Sequence, residues 1–109
     1  MAAKKQTPSN VPTSVARRLV PLFPLGRCIA THEAGDVLEE LGVSPFELIF
    51  KHQAGDWGTL APEEKRANDE ALKHGDRLLS AYYVAPHVKV WVITEADRSM
   101  TTVLLPEEY

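Results

Sequence analysis

From Arg77 onward apolar and polar positions alternate with a period of two. Leu78, Ser80, Tyr82 and Val84 fall on one side of an extended chain, and Leu79, Ala81 and Tyr83 on the other. After Ala85-Pro86-His87 the alternation resumes, with Val88, Val90, Val92 and Thr94 set against Lys89, Trp91, Ile93 and Glu95. A second turn, Ala96-Asp97-Arg98-Ser99, leads to a strand over Thr101–Leu105, and Pro106 stops it because proline gives a ladder no donor. Two short connections in succession predict an antiparallel meander of three strands.

Upstream of Arg77 the period is helical. Ala34, Val37, Leu38 and Leu41 repeat at i, i+3, i+4 and i+7, with Thr31 as N-cap, Glu33 and Asp36 near the positive end of the helix dipole, and Gly42 as the stop. Ser44, Pro45 and Glu47 form a capping-box start for a second helix running to Gln53, with Phe46, Ile49 and Phe50 on its apolar face and Leu48 beside it. Gly55-Asp56-Trp57-Gly58 reads as a tight turn. A third helix opens at Pro62-Glu63-Glu64 and stops at Gly75, its apolar seam reduced to Ala67 with Ala71 and Asn68 with Leu72. Before the first helix, Arg27–Thr31 (RCIAT) predicts a short strand. The expected fold is α+β in the order β-α-α-α-β-β-β, with the C-terminal three-stranded antiparallel meander covered on one face by helices.

Charge divides the chain of 109 residues unevenly. Residues 1–26 carry Lys4, Lys5, Arg17 and Arg18 and no acid, and hold Pro8, Pro12, Pro21 and Pro24; the remainder has 8 basic and 15 acidic side chains, a net of −7. This composition predicts a flexible basic tail over 1–18 and one domain over 19–109, with residues 19–25 lying along it as a strap. A duplex reader needs cations clustered on one face, and the acidic remainder argues against one; the tail alone could touch phosphate. With 44% apolar and 25% charged residues the composition is that of a globular protein. No apolar run reaches membrane-spanning length, and the polar stretch after Lys5 is unlike a secretory signal, so a cytoplasmic location is expected. The single cysteine, Cys28, is expected to be a small apolar core residue.

Chemistry-bearing motifs are few. His32, His52, His74 and His87 are spaced by 20, 22 and 13 residues, without the i, i+3 or i, i+4 pairing of helical metal sites, so no metal and no cofactor is expected. Neither a phosphate-cradling glycine loop nor a nucleophile elbow is present. Two constellations remain. Asp56 and Trp57 sit between two glycines, where the carboxylate serves either the turn amides or a ligand and the indole serves either the core or a binding surface. Glu95, Asp97 and Arg98 gather with hydroxyls, Thr102 among them, around one hairpin; they could grip a phosphate, or Asp97 could begin the turn while Arg98 makes a local ion pair. Asn68, an amide on a thin helix seam, is expected to bond the Gly55–Gly58 loop or the first long strand.

The segments AGDWG (54–58), the Asn68, Leu72 and Gly75 helix end, RLLSAY (77–82) and VWVITEADRSMTTVLLPEEY (90–109) resemble a family of small bacterial proteins described as hypothetical or plasmid-related, some labelled type I restriction endonuclease subunit M. The resemblance runs from Phe23 onward and implies an accessory role in a mobile-element setting, with no catalytic residue to carry over. The methyltransferase label requires a cofactor-binding α/β domain with its own glycine loop, which this chain lacks. The expected function is that of a non-enzymatic accessory protein whose binding residues are Asp56, Trp57, Asn68, Glu95, Asp97 and Arg98 and whose partner is another protein. The alternative is a metal-independent ribonuclease acting through His52, Asp56, Glu95, Arg98 and Thr102.

Overall fold

The computed structural model describes residues 20–109. The expected tail, 1–18, and the first strap residue, Leu19, lie outside the described residues. Strand β1 (Arg27–Ala30) is followed by helices α1 (His32–Leu41), α2 (Pro45–Gln53) and α3 (Pro62–His74), then by strands β2 (Leu78–Ala85), β3 (Val88–Thr94) and β4 (Met100–Leu104) and a 3-10 turn over Pro106–Glu108. The fold is α+β.

The sheet is larger than the meander by one strand. Its order is β1-β4-β3-β2, with β2, β3 and β4 antiparallel in succession and β1 parallel to β4. Four residues are too few to display a period, and pairing across some seventy residues of chain leaves no local trace, so only the coordinates reveal where β1 docks. Both hairpin turns need positive φ at a residue other than glycine, His87 at 65° and Arg98 at 61°.

Helix ends follow local chemistry. The Thr31 hydroxyl accepts from the Ala34 amide (3.1 Å), and Gly42 and Gly75 take left-handed conformations at φ 70° and 74°. At α2 the Ser44 hydroxyl accepts from Phe46, two residues on, rather than from Glu47, and no capping box closes. The phase of α2 also departs from expectation. Leu48, Ile49 and His52 are buried, whereas Phe46 and Phe50 are 55% and 51% exposed. A histidine whose two ring nitrogens both find partners is admissible in a core, and its inclusion turns the helix so that the phenylalanines face out. Leu41, in the last turn of α1, is likewise exposed.

Two clusters fill the interior on the helix side of the sheet. Ala34, Leu38, Leu48 and Ile49 pack on Tyr82, Val90, Val92 and Val103; Phe23, Trp57, Ala71 and Leu78 form the second. The strap is fastened at three points: Leu22 N–H donates to Gln53 O (2.8 Å), Gln53 Nε2 to Phe23 O (2.8 Å), and Thr101 Oγ1 to Leu25 O (2.8 Å). Cys28 is half-buried against the larger cluster. No helix among the described residues is long and apolar enough to cross a membrane.

Candidate functional site

The alternation that builds β2 and β3 places Ser80 and Thr94 on the core side among Leu78, Tyr82, Val90 and Val92, and their polarity needs an answer there. His52 supplies it. Its Nδ1 lies 2.6 Å from Ser80 Oγ and its Nε2 2.9 Å from Thr94 Oγ1, which lies 2.7 Å from Thr101 Oγ1. All four residues are fully buried. Proton directions follow from the far end: Thr101 donates its only hydroxyl proton to Leu25 O, so Thr94 must donate to Thr101, and Thr94 must accept from Nε2–H. Nδ1 then accepts from Ser80, and His52 is the neutral Nε2–H tautomer. Burial, seconded by the positive charge of Arg98, pushes its pKa down to about 3. Phe23 and Trp57 meet the ring edge-on at 5.3 and 5.7 Å.

The Gly55–Gly58 turn is held from both sides. Asp56 Oδ1 accepts from Gly58 N–H (3.2 Å), and the Asp56 carbonyl accepts from the Tyr82 hydroxyl (2.5 Å), whose pKa burial raises well above the ordinary value. Trp57 is buried and donates Nε1–H to Asp69 (3.1 Å). Gly58 is obligatory, because φ is +80° and a Cβ would run into the Ala81 carbonyl. Asn68 clasps the first long strand: its amide donates to Leu79 O (2.6 Å) and accepts from Leu79 N–H (3.1 Å).

At the β3–β4 hairpin the expected ion pair of Arg98 does not form. Its guanidinium donates instead to four carbonyls, Asp76 (2.7 Å), Glu95 (3.1 Å), Ala96 (3.2 Å) and Ala71 (3.1 Å), the last of which also accepts the Gly75 and Asp76 amides at the end of α3. It lies 5.7 Å from the Phe23 ring centre. Asp97 begins the turn, accepting from Ser99 N–H (3.0 Å); hydrogen bonds from Ser99 hold its carboxyl below the usual range. Glu95 is exposed. Thr102 alternates with Thr101 and so stands on the opposite sheet face from His52. The five residues of the ribonuclease reading therefore do not converge: His52 is sealed in the core, Thr102 is across the sheet, and no hydrogen bond or ion pair among the described residues joins the Asp56 side chain to Glu95 or Arg98.

Among the described residues, two concavities bear on the elements discussed above. A groove of about 380 Å³ is bordered by Glu47, Lys51, Asp56, Thr59, Tyr82 and Tyr83, with Lys51 Nζ 6.0 Å from the Tyr82 ring centre. An apolar recess of about 140 Å³ lies between β1 and α2. On the sheet face turned away from the helices, Leu79, Ile93, Thr102 and Ile29 stand in register across all four strands, and Ala81, Trp91 and Leu104 form the next row. Tyr109 lies edge-on to Trp91 at 5.6 Å, with the Arg77 guanidinium 5.1 Å from its ring centre, and Lys89 is 5.0 Å from the Tyr83 ring. Among the described residues no three His, Cys, Asp or Glu side chains come together as a metal site. Sequence reasoning passed over Ser80, Thr94 and Thr101 as network members and Lys51 as a groove cation. Hydroxyls falling on the apolar register were the available signal for the first three. No family model, no curated protein and no solved structure matches the chain.

Proposed function

We propose that the protein is a small non-enzymatic interaction module, working in the plasmid or mobile-element setting its sequence resemblance implies, and that it engages a protein partner through the sheet face opposite its helices. The observation that carries this reading is the aromatic and cationic surface there. Tyr83 is 57% exposed, Trp91 is half-buried, and Lys89 and Arg77 lie against aromatic rings, around a buried centre of Ala81, Ile93 and Leu104. Exposed aromatic side chains with adjoining cations are the residue types enriched at the energetic centres of interfaces. Nine of the 15 acidic side chains, Glu33, Asp36, Glu39 and Glu40 on α1, Glu47 on α2 and Glu63, Glu64, Asp69 and Glu70 on α3, lie on the helices, whereas Glu107 and Glu108 belong to the C-terminal turn beside this face. Of the side chains nominated for catalysis, His52, Asp56 and Arg98 hold structure together in three separate places, which also favours a binding role.

A photo-crosslinking side chain at position 83, set beside one at exposed position 36, tests the proposal in cells. A discrete protein adduct confined to position 83, whose identified partner binds the purified protein and loses at least about tenfold in affinity on Tyr83→Glu, is the expected result. Equal labelling at both positions, or an adduct with RNA, would contradict it.

A further inference from the structure

The two edges of the sheet are finished differently. On β2 the outward N–H and C=O of Leu79 are both taken by Asn68, and those of Ala81 by the 57–59 loop, through Ala81 N–H to Trp57 O (3.2 Å) and Thr59 N–H to Ala81 O (2.8 Å). On β1, Arg27 N–H donates to Ser99 O and Thr31 N–H to Val103 O. Alternate residues therefore turn inward toward β4, and the N–H and C=O groups of Cys28 and Ala30 point out along the rim. Among the described residues no strand, helix or side chain pairs with them. The strand has no proline, bulge or inward charge to guard the edge.

Apolar surface lies directly beneath. The 140 Å³ recess is lined by Cys28, Ile29, Ala30, Pro45, Phe46 and Ile49, and Phe46 and Phe50, stacked at 5.9 Å, stand beside it more than half exposed. We propose that this edge is an interface between two copies of the chain, with β1 pairing antiparallel to its counterpart about a two-fold axis at Ile29.

Register and charge argue for a second copy over a foreign strand. Centring on Ile29 opposes Cys28 of each copy to Ala30 of the other, so all four outward groups of both strands are used. Ile29 meets its own counterpart on the open face, and the phenylalanines of the two α2 helices meet below. The same register sets Arg27 opposite Thr31 of the other copy, and the Thr31 hydroxyl holds the Glu108 carboxylate at 2.8 Å. A guanidinium is thus delivered beside a carboxylate twice, once at each end of the paired strands. The product is a continuous eight-stranded sheet presenting two copies of the proposed binding face.

Sedimentation velocity of the full-length protein over a wide dilution series tests this. Dimer mass is expected, with Phe50→Glu raising the dissociation constant at least about tenfold while the circular dichroism spectrum stays unchanged. In a Cys28→Ser background, Ile29→Cys is expected to form an intermolecular disulfide on mild oxidation, because directly opposed non-hydrogen-bonded residues lie about 4.5 Å apart at Cα; Asp36→Cys is the control and should form none. Monomer at every concentration, the outcome if residues 1–19 or a foreign peptide cover the edge, would overturn the proposal. A dimer insensitive to Phe50→Glu in which Ile29→Cys fails to cross-link would overturn it equally.

Discussion

Burying an imidazole completely forces a choice of protonation state, and in His52 the partners make that choice. Ser80 and Thr94 satisfy both nitrogens of the neutral ring, and a proton added in the core would have little solvation. The consequence for stability has a definite sign. The folded ring resists protonation down to about pH 3, whereas in the unfolded chain it accepts a proton near its ordinary value of 6.5. Between these limits the unfolded chain binds more protons, so this contribution is complete above pH 6.5 and shrinks as pH falls through the window, by up to about 1.4 kcal/mol per pH unit. Urea unfolding should show stability falling from about pH 6 to about pH 4, with a shallower fall in His52→Gln. Equal slopes in the two proteins would contradict it. Arg98 is a second fastener. Arg98→Ala should cost about 2 kcal/mol, and Arg98→Lys should recover less than half of that, since one ammonium cannot reach carbonyls that a planar fork spans; thermal melts of the two variants check the order.

Among the elements, the most exacting junction is where α3 and the Gly55–Gly58 turn close the outer edge of β2. Asn68→Leu leaves both Leu79 backbone groups without their partner and should cost about 2–3 kcal/mol, with faster hydrogen exchange at Leu79. Gly58→Ala meets the Ala81 carbonyl at a positive φ and should cost about 2–4 kcal/mol by denaturant titration. Helix starts, glycine stops and the meander were legible from sequence because each rests on contacts within a few residues: the Thr31 cap, Gly42 and Gly75, and the alternation from Leu78 to Thr94. The phase of α2 was not, since Phe46, Ile49 and Phe50 make as good an apolar stripe as Leu48, Ile49 and His52 until Ser80 and Thr94 are known to lie opposite. The parallel docking of β1 was hidden for the same reason, its partner lying at the far end of the chain.

Across the whole molecule, the polar network joins parts of the sequence that are otherwise unrelated. Ser80 on β2, His52 on α2, Thr94 on β3, Thr101 on β4 and Leu25 in the strap form one directed chain of hydrogen bonds through the core. Sequence reading could place Asp56, Asn68, Asp97 and Arg98 in turns and seams, but could not distinguish a side chain that fastens from one that reacts, because the difference lies in which carbonyls and amides meet it in space. His52 is such a fastener: neutral, sealed and protonated at Nε2. Long-range 1H–15N correlation of the imidazoles during a pH titration tests this most directly. His52 should hold the Nε2–H pattern without titrating from about pH 8 down to about pH 5. An imidazolium signature appearing near its ordinary pKa, or an Nδ1–H tautomer, would contradict the account.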